Sequence, residues 1–399
     1  MSYQQQFDLE NEYLMPTFAR KSVCLVEGRG MRLRDSEGAE YLDFLAGIGC
    51  VSIGHCHPAL VSAIQDQAAR LVHVGNYYYI EQRGQLAKRL SGLLGQTPDG
   101  QSWKTFFVNS GAEANECAMK LARLWSKKHS HGGNVIITLN GSFHGRTMET
   151  LAATAQPVKQ ELFAPMPEGF VHVPINDTDA LRAAFDAHPN QVCAVMVEVI
   201  QGESGVHPCT AEFLELADEL VHANGGLLIC DEVQTGVFRT GKPFAFQHFS
   251  VQVDIAAIAK GIGGGFPMGA CTAHASVADS FEPGTHGTTF GGSNLAIAAA
   301  GAVLDTIESE GIAQNVQEVG AYLQQELSKL PYVTEVRGRG LMVGAELAEG
   351  MSAPDVVAAA QDLGLLINAT GPTTLRFLPP LVCAKADVDE LVNKLGTIQ

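Results

Sequence analysis

The middle of the chain alternates short apolar runs with amphipathic stretches of helical periodicity. Strands are predicted at Thr105–Val108, Val135–Leu139, Cys193–Val199, Gly226–Cys230 and Ile255–Ala259. Helices are predicted at Ala112–Lys128, Thr178–Asp186 and Thr210–Ala223. Parallel strands need long crossover connections, usually helices, so this alternation favours a parallel arrangement. The pattern therefore predicts an α/β fold with a mostly parallel sheet covered by helices.

The two ends of the chain have a different pattern. Short strands are predicted near the start, at Val23–Val26 and Met31–Arg34. Beyond about residue 299 the predicted elements are the helices Ala299–Ser309 and Ala313–Lys329 and the strands Thr334–Arg337 and Met342–Leu347. We therefore expect a large central domain, residues 59–298, and a smaller lobe. The N-terminal segment, residues 1–58, and the C-terminal segment, residues 299–399, would form that lobe together.

Composition restricts the class of protein. Of 399 residues, 46% are apolar and 17% charged, which is typical of a globular protein. The formal net charge of -17 and the lack of a basic stripe argue against nucleic acid as a partner. Nine dispersed cysteines favour reduced, buried thiols and a cytoplasmic location. A signal peptide and a membrane span are not expected, because the first residues are polar and no uncharged apolar run reaches about 18 residues.

Residues suited to a binding site, most of them polar, lie at the ends of five of the predicted strands. Ligands of open α/β sheets gather at the carboxyl ends of the strands. Several such residues at one edge of the sheet therefore indicate a binding site more strongly than any single one of them does. The residues concerned are Ser110, Phe143, His144, Glu198, Asp231 and Lys260.

Lys260 follows the apolar run Ile255–Ala259 and precedes the glycine-rich turn Gly261–Gly265. A lysine that leaves a buried strand is partly desolvated, which lowers the pKa of its amine and makes the amine nucleophilic. Such a lysine is suited to a Schiff base with an aldehyde cofactor. Taken alone, the stretch is more typical of a lysine that ends a strand and points to solvent.

Two further positions fit such a cofactor. Asp231 ends an apolar run, and a buried carboxylate needs a partner, which a pyridinium nitrogen would provide. A salt bridge to arginine or a magnesium ion is the alternative, although the chain lacks the GxxxxGK pattern of a nucleotide–magnesium site. Ser110 and Gly111 precede an alanine-rich helix, whose free N–H groups bind phosphate. Taken alone, Ser110 is more typical of an ordinary helix cap without a ligand.

His55 and His57 flank Cys56 and raise the question of a metal. Their spacing and the adjoining Pro58 do not match a zinc pattern, and no second ligand pair is evident. We therefore expect a structural loop here and no metal site.

The motifs together resemble the class III aminotransferases, which belong to the pyridoxal-phosphate enzymes of fold type I. The resemblance covers nearly the whole length, and the order and spacing of the motifs make it specific. The matching stretches are Tyr41–Phe44, Gly54–Pro58, Asn109–Glu116, Ser142–Thr147, Glu198–Glu203, Asp231–Gly236, Ala259–Gly261 and Thr288–Gly292.

The resemblance implies pyridoxal 5'-phosphate as cofactor and a large domain built on a mostly parallel seven-stranded sheet, beside a smaller α/β lobe. Lys260 then resembles the Schiff-base lysine that also moves a proton, and Asp231 the partner of the pyridinium nitrogen. Gln234 resembles the residue that contacts the phenolic oxygen of the cofactor, and Phe143 resembles the residue whose ring stacks on the cofactor's pyridine ring. The remaining cofactor-binding residues implied are Ser110, Gly111 and Ala112 at the phosphate, Val233, and Thr289.

The resemblance also implies a substrate site. Arg146 would bind a carboxylate through its planar fork. Glu203 resembles a carboxylate that pairs with Arg376 while the amino donor is bound and releases it for the second carboxylate of 2-oxoglutarate. Thr288 and Thr289 resemble contacts from a neighbouring subunit, which implies a homodimer with shared active sites.

The loop Ala46–Val51 bears on the amino donor. Ornithine aminotransferases usually have a tyrosine where this chain has Ile48, and an apolar residue fits a neutral acyl group better than a free α-ammonium. The loop is most similar to that of N-acetylornithine aminotransferases, which implies N2-acetylornithine and 2-oxoglutarate as ping-pong substrates in arginine biosynthesis. Ornithine, succinylornithine and 4-aminobutyrate stay open as donors, and an isomerase or a catalytically silent relative are more distant alternatives.

Overall fold

A computed structural model of the protein describes residues 2–398. Three short 3-10 helices lie at Glu161–Phe163, Ala245–His248 and Lys260–Gly263. The strands in this range are β1 (Leu25–Arg29), β2 (Arg32–Asp35), β3 (Glu40–Asp43), β4 (Trp103–Val108), β5 (Val135–Leu139), β6 (Phe170–Val173), β7 (Val192–Val197), β8 (Ile200–Gln201), β9 (His207–Pro208), β10 (Leu227–Asp231), β11 (Ile255–Ile258), β12 (Gly269–His274), β13 (Val333–Arg339), β14 (Met342–Leu347), β15 (Leu365–Leu366), β16 (Asn368–Ala369) and β17 (Thr374–Phe377). The α-helices are α1 (Tyr3–Tyr13), α2 (Ala46–Gly49), α3 (Pro58–Arg70), α4 (Arg83–Leu94), α5 (Gly111–His129), α6 (Met148–Ala153), α7 (Pro157–Gln160), α8 (Thr178–Ala187), α9 (Ala211–Ala223), α10 (Ala275–Ala278), α11 (Asn294–Ser309), α12 (Ile312–Leu327), α13 (Ala353–Asp362) and α14 (Lys385–Leu395).

The main sheet has seven strands in the order β4-β12-β11-β10-β7-β5-β6. Strand β12 runs antiparallel to both of its neighbours, and the other pairs are parallel, so six of the seven strands share one direction. The prediction of a mostly parallel seven-stranded sheet is confirmed. The five strands predicted in the middle of the chain all belong to this sheet, whereas β6 and β12 were not predicted.

Helices cover both faces of the main sheet. Side chains of a strand alternate between the faces. In β7, Ala194 and Met196 pack with apolar residues of α5, whereas Val195 and Val197 pack with apolar residues of α9. Every residue of β7 is buried as a result, which explains why the central strands are continuously apolar rather than alternating.

The two ends of the chain meet in one sheet. Strand β15, from the C-terminal segment, pairs in parallel with β3 and completes the four-stranded sheet β1-β2-β3-β15. A second four-stranded sheet, β13-β14-β17-β16, comes wholly from the C-terminal segment. Among residues 2–398, no helix is both long and apolar enough to cross a membrane.

Candidate active site

A cavity of about 420 Å³ lies at the carboxyl edge of the main sheet. Its walls come from the segments that follow β4, β5, β7, β10 and β11, so the predicted edge of the sheet is where the side chains meet. Cys50, from the N-terminal part of the chain, also reaches the cavity. Nine of the predicted site residues line it: Ser110, Gly111, Ala112, Phe143, Arg146, Asp231, Val233, Gln234 and Lys260.

Lys260 begins the turn after β11 in a left-handed backbone conformation, with φ of 47°. This region is unfavourable for a residue with a side chain, and such strain is typical of functional sites. The side chain is half-buried. Burial lowers the pKa of the amine, with a further lowering from Arg376 that the Glu203 carboxylate opposes. A larger fraction of the amine is therefore neutral, and nucleophilic, than for a solvated lysine.

Asp231 is the last residue of β10 and only 3% exposed. Its Oδ2 accepts hydrogen bonds from Asn115 Nδ2 at 2.7 Å and from His144 Nδ1 at 2.8 Å, and its Oδ1 accepts one from the Val233 amide at 3.0 Å. Burial would lower the pKa of His144, but the Asp231 carboxylate outweighs burial and the pKa is raised. The carboxylate is thus held in one orientation at the cavity wall.

The first turn of α5 provides the donors expected for a phosphate. The Ser110 hydroxyl oxygen accepts a hydrogen bond from the Glu113 amide at 3.2 Å, so this side chain is the helix cap. Gly111 and Ala112 line the cavity, and their N–H groups precede the first intrahelical bond, from Ala114 to Ser110. A Cβ on Gly111 would lie 2.6 Å from Val233 Cγ1, so only glycine lets this turn approach that wall.

Glu203 and Arg376 lie beside the cavity and are joined to it through Gln234. Arg376 Nη1 donates to Glu203 Oε1 at 2.6 Å, and Gln234 Nε2 donates to the same oxygen at 3.1 Å. Burial raises the pKa of the Glu203 carboxyl, but Arg376 outweighs this effect and the pKa is lowered. The pair is therefore ionised, and Arg376, 1% exposed, is covered by Glu203.

Phe143 lines the cavity and has two cationic side chains, Arg146 and Lys159, near its ring. The Phe143 amide donates to Glu198 Oε1 at 2.7 Å, and burial raises the pKa of that carboxyl. The Arg146 guanidinium lies 5.4 Å from the centre of the Phe143 ring, and Lys159 Nζ lies at the same distance. Arg146 itself is exposed.

The remaining predicted residues lie outside the cavity lining. Thr288 Oγ1 accepts a hydrogen bond from Asn109 Nδ2 at 3.3 Å. Asn109 lines the cavity, so Thr288 contacts a lining residue without lining the cavity itself. Thr289 is exposed and makes no contact with the cavity of its own chain. Its role across a subunit boundary stays a prediction.

The two histidines of the first motif have structural partners. His55 Nε2 lies 2.7 Å from Asp43 Oδ2, and His57 Nδ1 accepts a hydrogen bond from the Ala59 amide at the start of α3. In the part of the chain from 2 to 398, no group of three or more potential ligands is arranged to hold a metal ion.

Two contacts of the site were not deduced from the sequence. Asn115 lies four residues after Gly111 on α5, and this helical spacing was the available signal that it faces the same side. The link from His144 to Asp231 spans 87 positions and had no local signal. Both donors point at the carboxylate that the site is built around.

The arrangement fits an anionic aromatic aldehyde. A lysine of lowered pKa, a buried carboxylate and a helix start with free N–H donors surround one cavity whose size suits a small cofactor. Because Gly111 has no Cβ, the first turn of α5 with its free N–H groups packs close to Val233 at the cavity wall. Fold and site together fit the class that the sequence motifs resemble, the pyridoxal-phosphate enzymes of fold type I.

Comparison with known proteins places the chain more narrowly. The family model for class-III aminotransferases matches residues 16–398, and the chain belongs to this family. Enzymes of this family use pyridoxal 5'-phosphate, and the solved ornithine aminotransferase of Toxoplasma gondii has been described with that cofactor partly occupying its active site.

Curated relatives that match nearly the whole chain are named acetylornithine aminotransferases. One from Caldanaerobacter subterraneus is 45% identical over 98% of each chain, and one from Methanocaldococcus jannaschii is 44% identical over 100% of this chain and 98% of its own. Among solved structures, an ornithine aminotransferase from Toxoplasma gondii has a TM-score of 0.92 at 32% identity, covering 99% of this chain and 94% of that one. An acetylornithine aminotransferase from Elizabethkingia anophelis has a TM-score of 0.87 at 33% identity, with 99% and 98% covered.

Proposed function

We propose that this protein transfers the terminal amino group of N2-acetyl-L-ornithine to 2-oxoglutarate, giving N-acetyl-L-glutamate 5-semialdehyde and L-glutamate. The observation that carries this proposal is the ionised Glu203–Arg376 pair beside the cavity, with Arg146 free at its mouth. One arginine is available to every substrate, and the other only when Glu203 moves. The names of the relatives that match the chain end to end support the acetylated donor.

The two arginines, Arg146 and Arg376, determine which substrates bind through the charged groups that each substrate places beside them. Arg146 binds the carboxylate that both substrates carry far from the reacting carbon. The donor brings a primary amine to the reacting position, and the closed Glu203–Arg376 pair presents no uncompensated positive charge to it. 2-Oxoglutarate brings a second carboxylate there, which competes with Glu203 for Arg376. Ile48, in the loop before the first motif, offers no phenol to a free α-ammonium, which favours an acylated donor.

Bound pyridoxal phosphate supplies an aldehyde carbon and an electron-withdrawing ring. We propose that Lys260 provides the amine that reacts with this aldehyde and afterwards moves a proton at the substrate carbon. Asp231 holds the ring nitrogen, and Asn115 and His144 hold Asp231. Gly111 and Ala112 bind the phosphate through their N–H groups, capped by Ser110, while Phe143, Val233 and Gln234 contact the ring.

We also propose a homodimer in which Thr288 and Thr289 serve the partner's site. Exposed aromatic side chains on two adjoining segments support this assembly: Tyr77 is 99%, Tyr79 103% and Phe290 61% exposed. Asn76 Nδ2 donates to the Thr288 carbonyl at 2.9 Å and joins the two segments. Apolar side chains gathered on a surface are typical of an interface. Phe290 directly follows Thr289, so an interface that covers this ring also brings the threonine to the neighbouring subunit.

The domain assignment remains part of the proposal. Residues 59–298 would form the cofactor domain, and residues 1–58 with 299–399 the small lobe. The pairing of β3 with β15 supports a lobe that draws on both ends. We further propose a cytoplasmic location, supported by the nine free cysteines.

A direct test compares amino donors in single half-reactions of the cofactor-loaded protein. N2-Acetylornithine should discharge the cofactor absorbance band well ahead of ornithine and 4-aminobutyrate. If any of these amines is as fast or faster, the donor assignment is wrong although the aminotransferase chemistry stands.

A further inference from the structure

A second cation, Lys159, lies near the same aromatic ring as Arg146, and neither the family comparison nor the proposed mechanism uses it. Lys159 Nζ and the Arg146 guanidinium each lie 5.4 Å from the centre of the Phe143 ring. Within residues 2–398 neither of them forms an ion pair with a carboxylate. By contrast Arg123, in the neighbouring helix α5, pairs with Glu149. Two unpaired cations that share one aromatic ring create a local positive field in a chain of net charge -17.

The position of Lys159 is fixed by its surroundings. Helix α7 starts with Pro157, whose fixed φ defines the first turn. Lys159 Nζ donates to Gln156 Oε1, and Gln156 Nε2 donates to the Ser142 carbonyl at 2.8 Å. Gln160 Nε2 donates to the Thr154 carbonyl at 2.8 Å and anchors the end of the same turn. The ammonium is thereby directed back to the loop that carries Phe143 and Arg146.

The charges around Lys159 are those of the substrate site. Burial lowers the pKa of its amine, the Arg146 charge lowers it further, and Glu203 and Glu198 oppose both. These are the charged groups already placed around the cavity. Gln156, which accepts the hydrogen bond from Lys159, lines a surface pocket that Glu203 also lines. An anion bound between Lys159 and Arg146 would relieve their repulsion.

We propose that Lys159 is a second carboxylate-binding cation, which acts with Arg146 on the distal carboxylate of both the amino donor and 2-oxoglutarate. This inference rests on the proposed function for the identity of the substrates. Lys159 retains two N–H donors besides the one directed at Gln156, enough to reach one carboxylate oxygen. The planar guanidinium of Arg146 can donate two hydrogen bonds to the carboxylate, and the compact ammonium of Lys159 adds a second positive charge beside it.

The test uses the cofactor-loaded protein and three variants: Lys159→Met, Lys159→Arg and, as a control with the same charge change at an exposed site, Lys127→Met. Binding of glutarate, a dicarboxylate that cannot react, is measured by calorimetry. We expect Lys159→Met to raise the Kd for glutarate about tenfold, since a charge-assisted hydrogen bond is lost. Lys159→Arg should stay within about threefold of the parent protein, and Lys127→Met should equal it.

Kinetics separate carboxylate recognition from general damage. In Lys159→Met the KM values for N2-acetylornithine and 2-oxoglutarate should both rise about tenfold, with kcat within about twofold. N-Acetyl-1,4-diaminobutane, which is the donor without its carboxylate, should react with the variant and the parent alike. The Tm of Lys159→Met should not fall, because a partly desolvated charge is removed.

Parent-like glutarate binding by Lys159→Met would overturn the proposal. An equal loss for glutarate and for reaction of the carboxylate-free amine would overturn it too, since it would indicate a structural role. Failure of the parent enzyme to use N2-acetylornithine would refute the proposed donor alone. A Lys159-dependent Kd for glutarate would still support the carboxylate site in that case.

Discussion

Arg376 and Glu203 form an ion pair with an Nη1–Oε1 distance of 2.6 Å, although they lie 173 positions apart in the chain. Arg376 lies within β17 of the C-terminal segment, and Glu203 follows β8 near the carboxyl edge of the main sheet. Removing one partner of a buried pair leaves the other charge uncompensated. The pair therefore couples the C-terminal segment to the cavity through Gln234, and we propose that its state decides which substrate charge the site accepts.

Glu203→Gln should change the two half-reactions unequally. The neutral side chain leaves Arg376 uncovered, which opposes the amine of the donor and favours the second carboxylate of 2-oxoglutarate. We expect the donor half-reaction to slow about tenfold or more and the acceptor half-reaction not to slow. Single-turnover absorbance measures each half separately, with Glu349→Gln as an exposed control. Unchanged rates in both halves would refute the switch.

Lys260→Met should abolish the covalent attachment of the cofactor. Methionine keeps most of the side-chain volume and has no amine. Turnover should fall about 10³-fold or more, as for loss of a general acid–base group that is also the nucleophile. Mass spectrometry after borohydride reduction should find the cofactor on Lys260 in the parent protein and on no residue in the variant. Attachment at another lysine would contradict the assignment.

Asp231→Asn should reduce both turnover and stability. An amide oxygen cannot replace a carboxylate that accepts from Asn115, His144 and the Val233 amide at once. We expect kcat to fall about 100-fold or more and the free energy of unfolding to fall by about 1–3 kcal/mol. Denaturant unfolding of the cofactor-free protein isolates the second effect. A variant with parental kcat would show that this carboxylate does not serve the cofactor.

Gly111→Ala should strain the phosphate end of the cavity. The new Cβ would lie 2.6 Å from Val233 Cγ1 and 2.9 Å from Cγ2. Overpacking of this kind costs about 1–3 kcal/mol, and here it would also displace the first turn of α5. We expect weaker cofactor binding, measured by titration of the cofactor-free protein. Val233→Ala in the same chain should restore much of it, and no rescue by that second substitution would argue against this steric explanation.

His222 should make stability depend on pH on the alkaline side. Burial lowers the pKa of His222, but hydrogen bonds to Asp218 and Asp254 outweigh burial and raise it to about 10. Its contribution is therefore complete below the unfolded pKa of about 6.5 and is lost as the pH rises through about 10. With a side chain 29% exposed, we expect on the order of 1–2 kcal/mol. The difference in unfolding free energy between the parent and His222→Gln should shrink between about pH 6 and pH 10.5.

The local sequence pattern was sufficient to predict an element where the burial of its residues and their strand or helix propensity agree. The bounds of β5 and β14 were predicted at both ends, and those of β5 follow from an apolar run that stops at Asn134 and Asn140. Strand β12, Gly269–His274, was missed because small residues give it little strand propensity, and its pairing with β4 and β11 determines its structure. Helix α1 was missed because it buries no residue and therefore lacks an apolar stripe.

The site was predictable in outline and not in its contacts. The ends of five strands locate Lys260 and Asp231 at one edge, since parallel strands bring their carboxyl ends together. The pairing of Glu203 with Arg376 came only from resemblance to a family, because no periodicity relates two segments so far apart. The unpaired state of Lys159 became visible only once the distances to Phe143 and Gln156 were known.

The donor assignment is tested most directly by rapid-mixing absorbance of the cofactor-loaded protein. N2-Acetylornithine, succinylornithine, ornithine and 4-aminobutyrate are each added alone, and the loss of the cofactor band is followed in a single half-reaction. The proposed function predicts that N2-acetylornithine is fastest, well ahead of ornithine and 4-aminobutyrate. Equal or faster loss with any of the other three would contradict it.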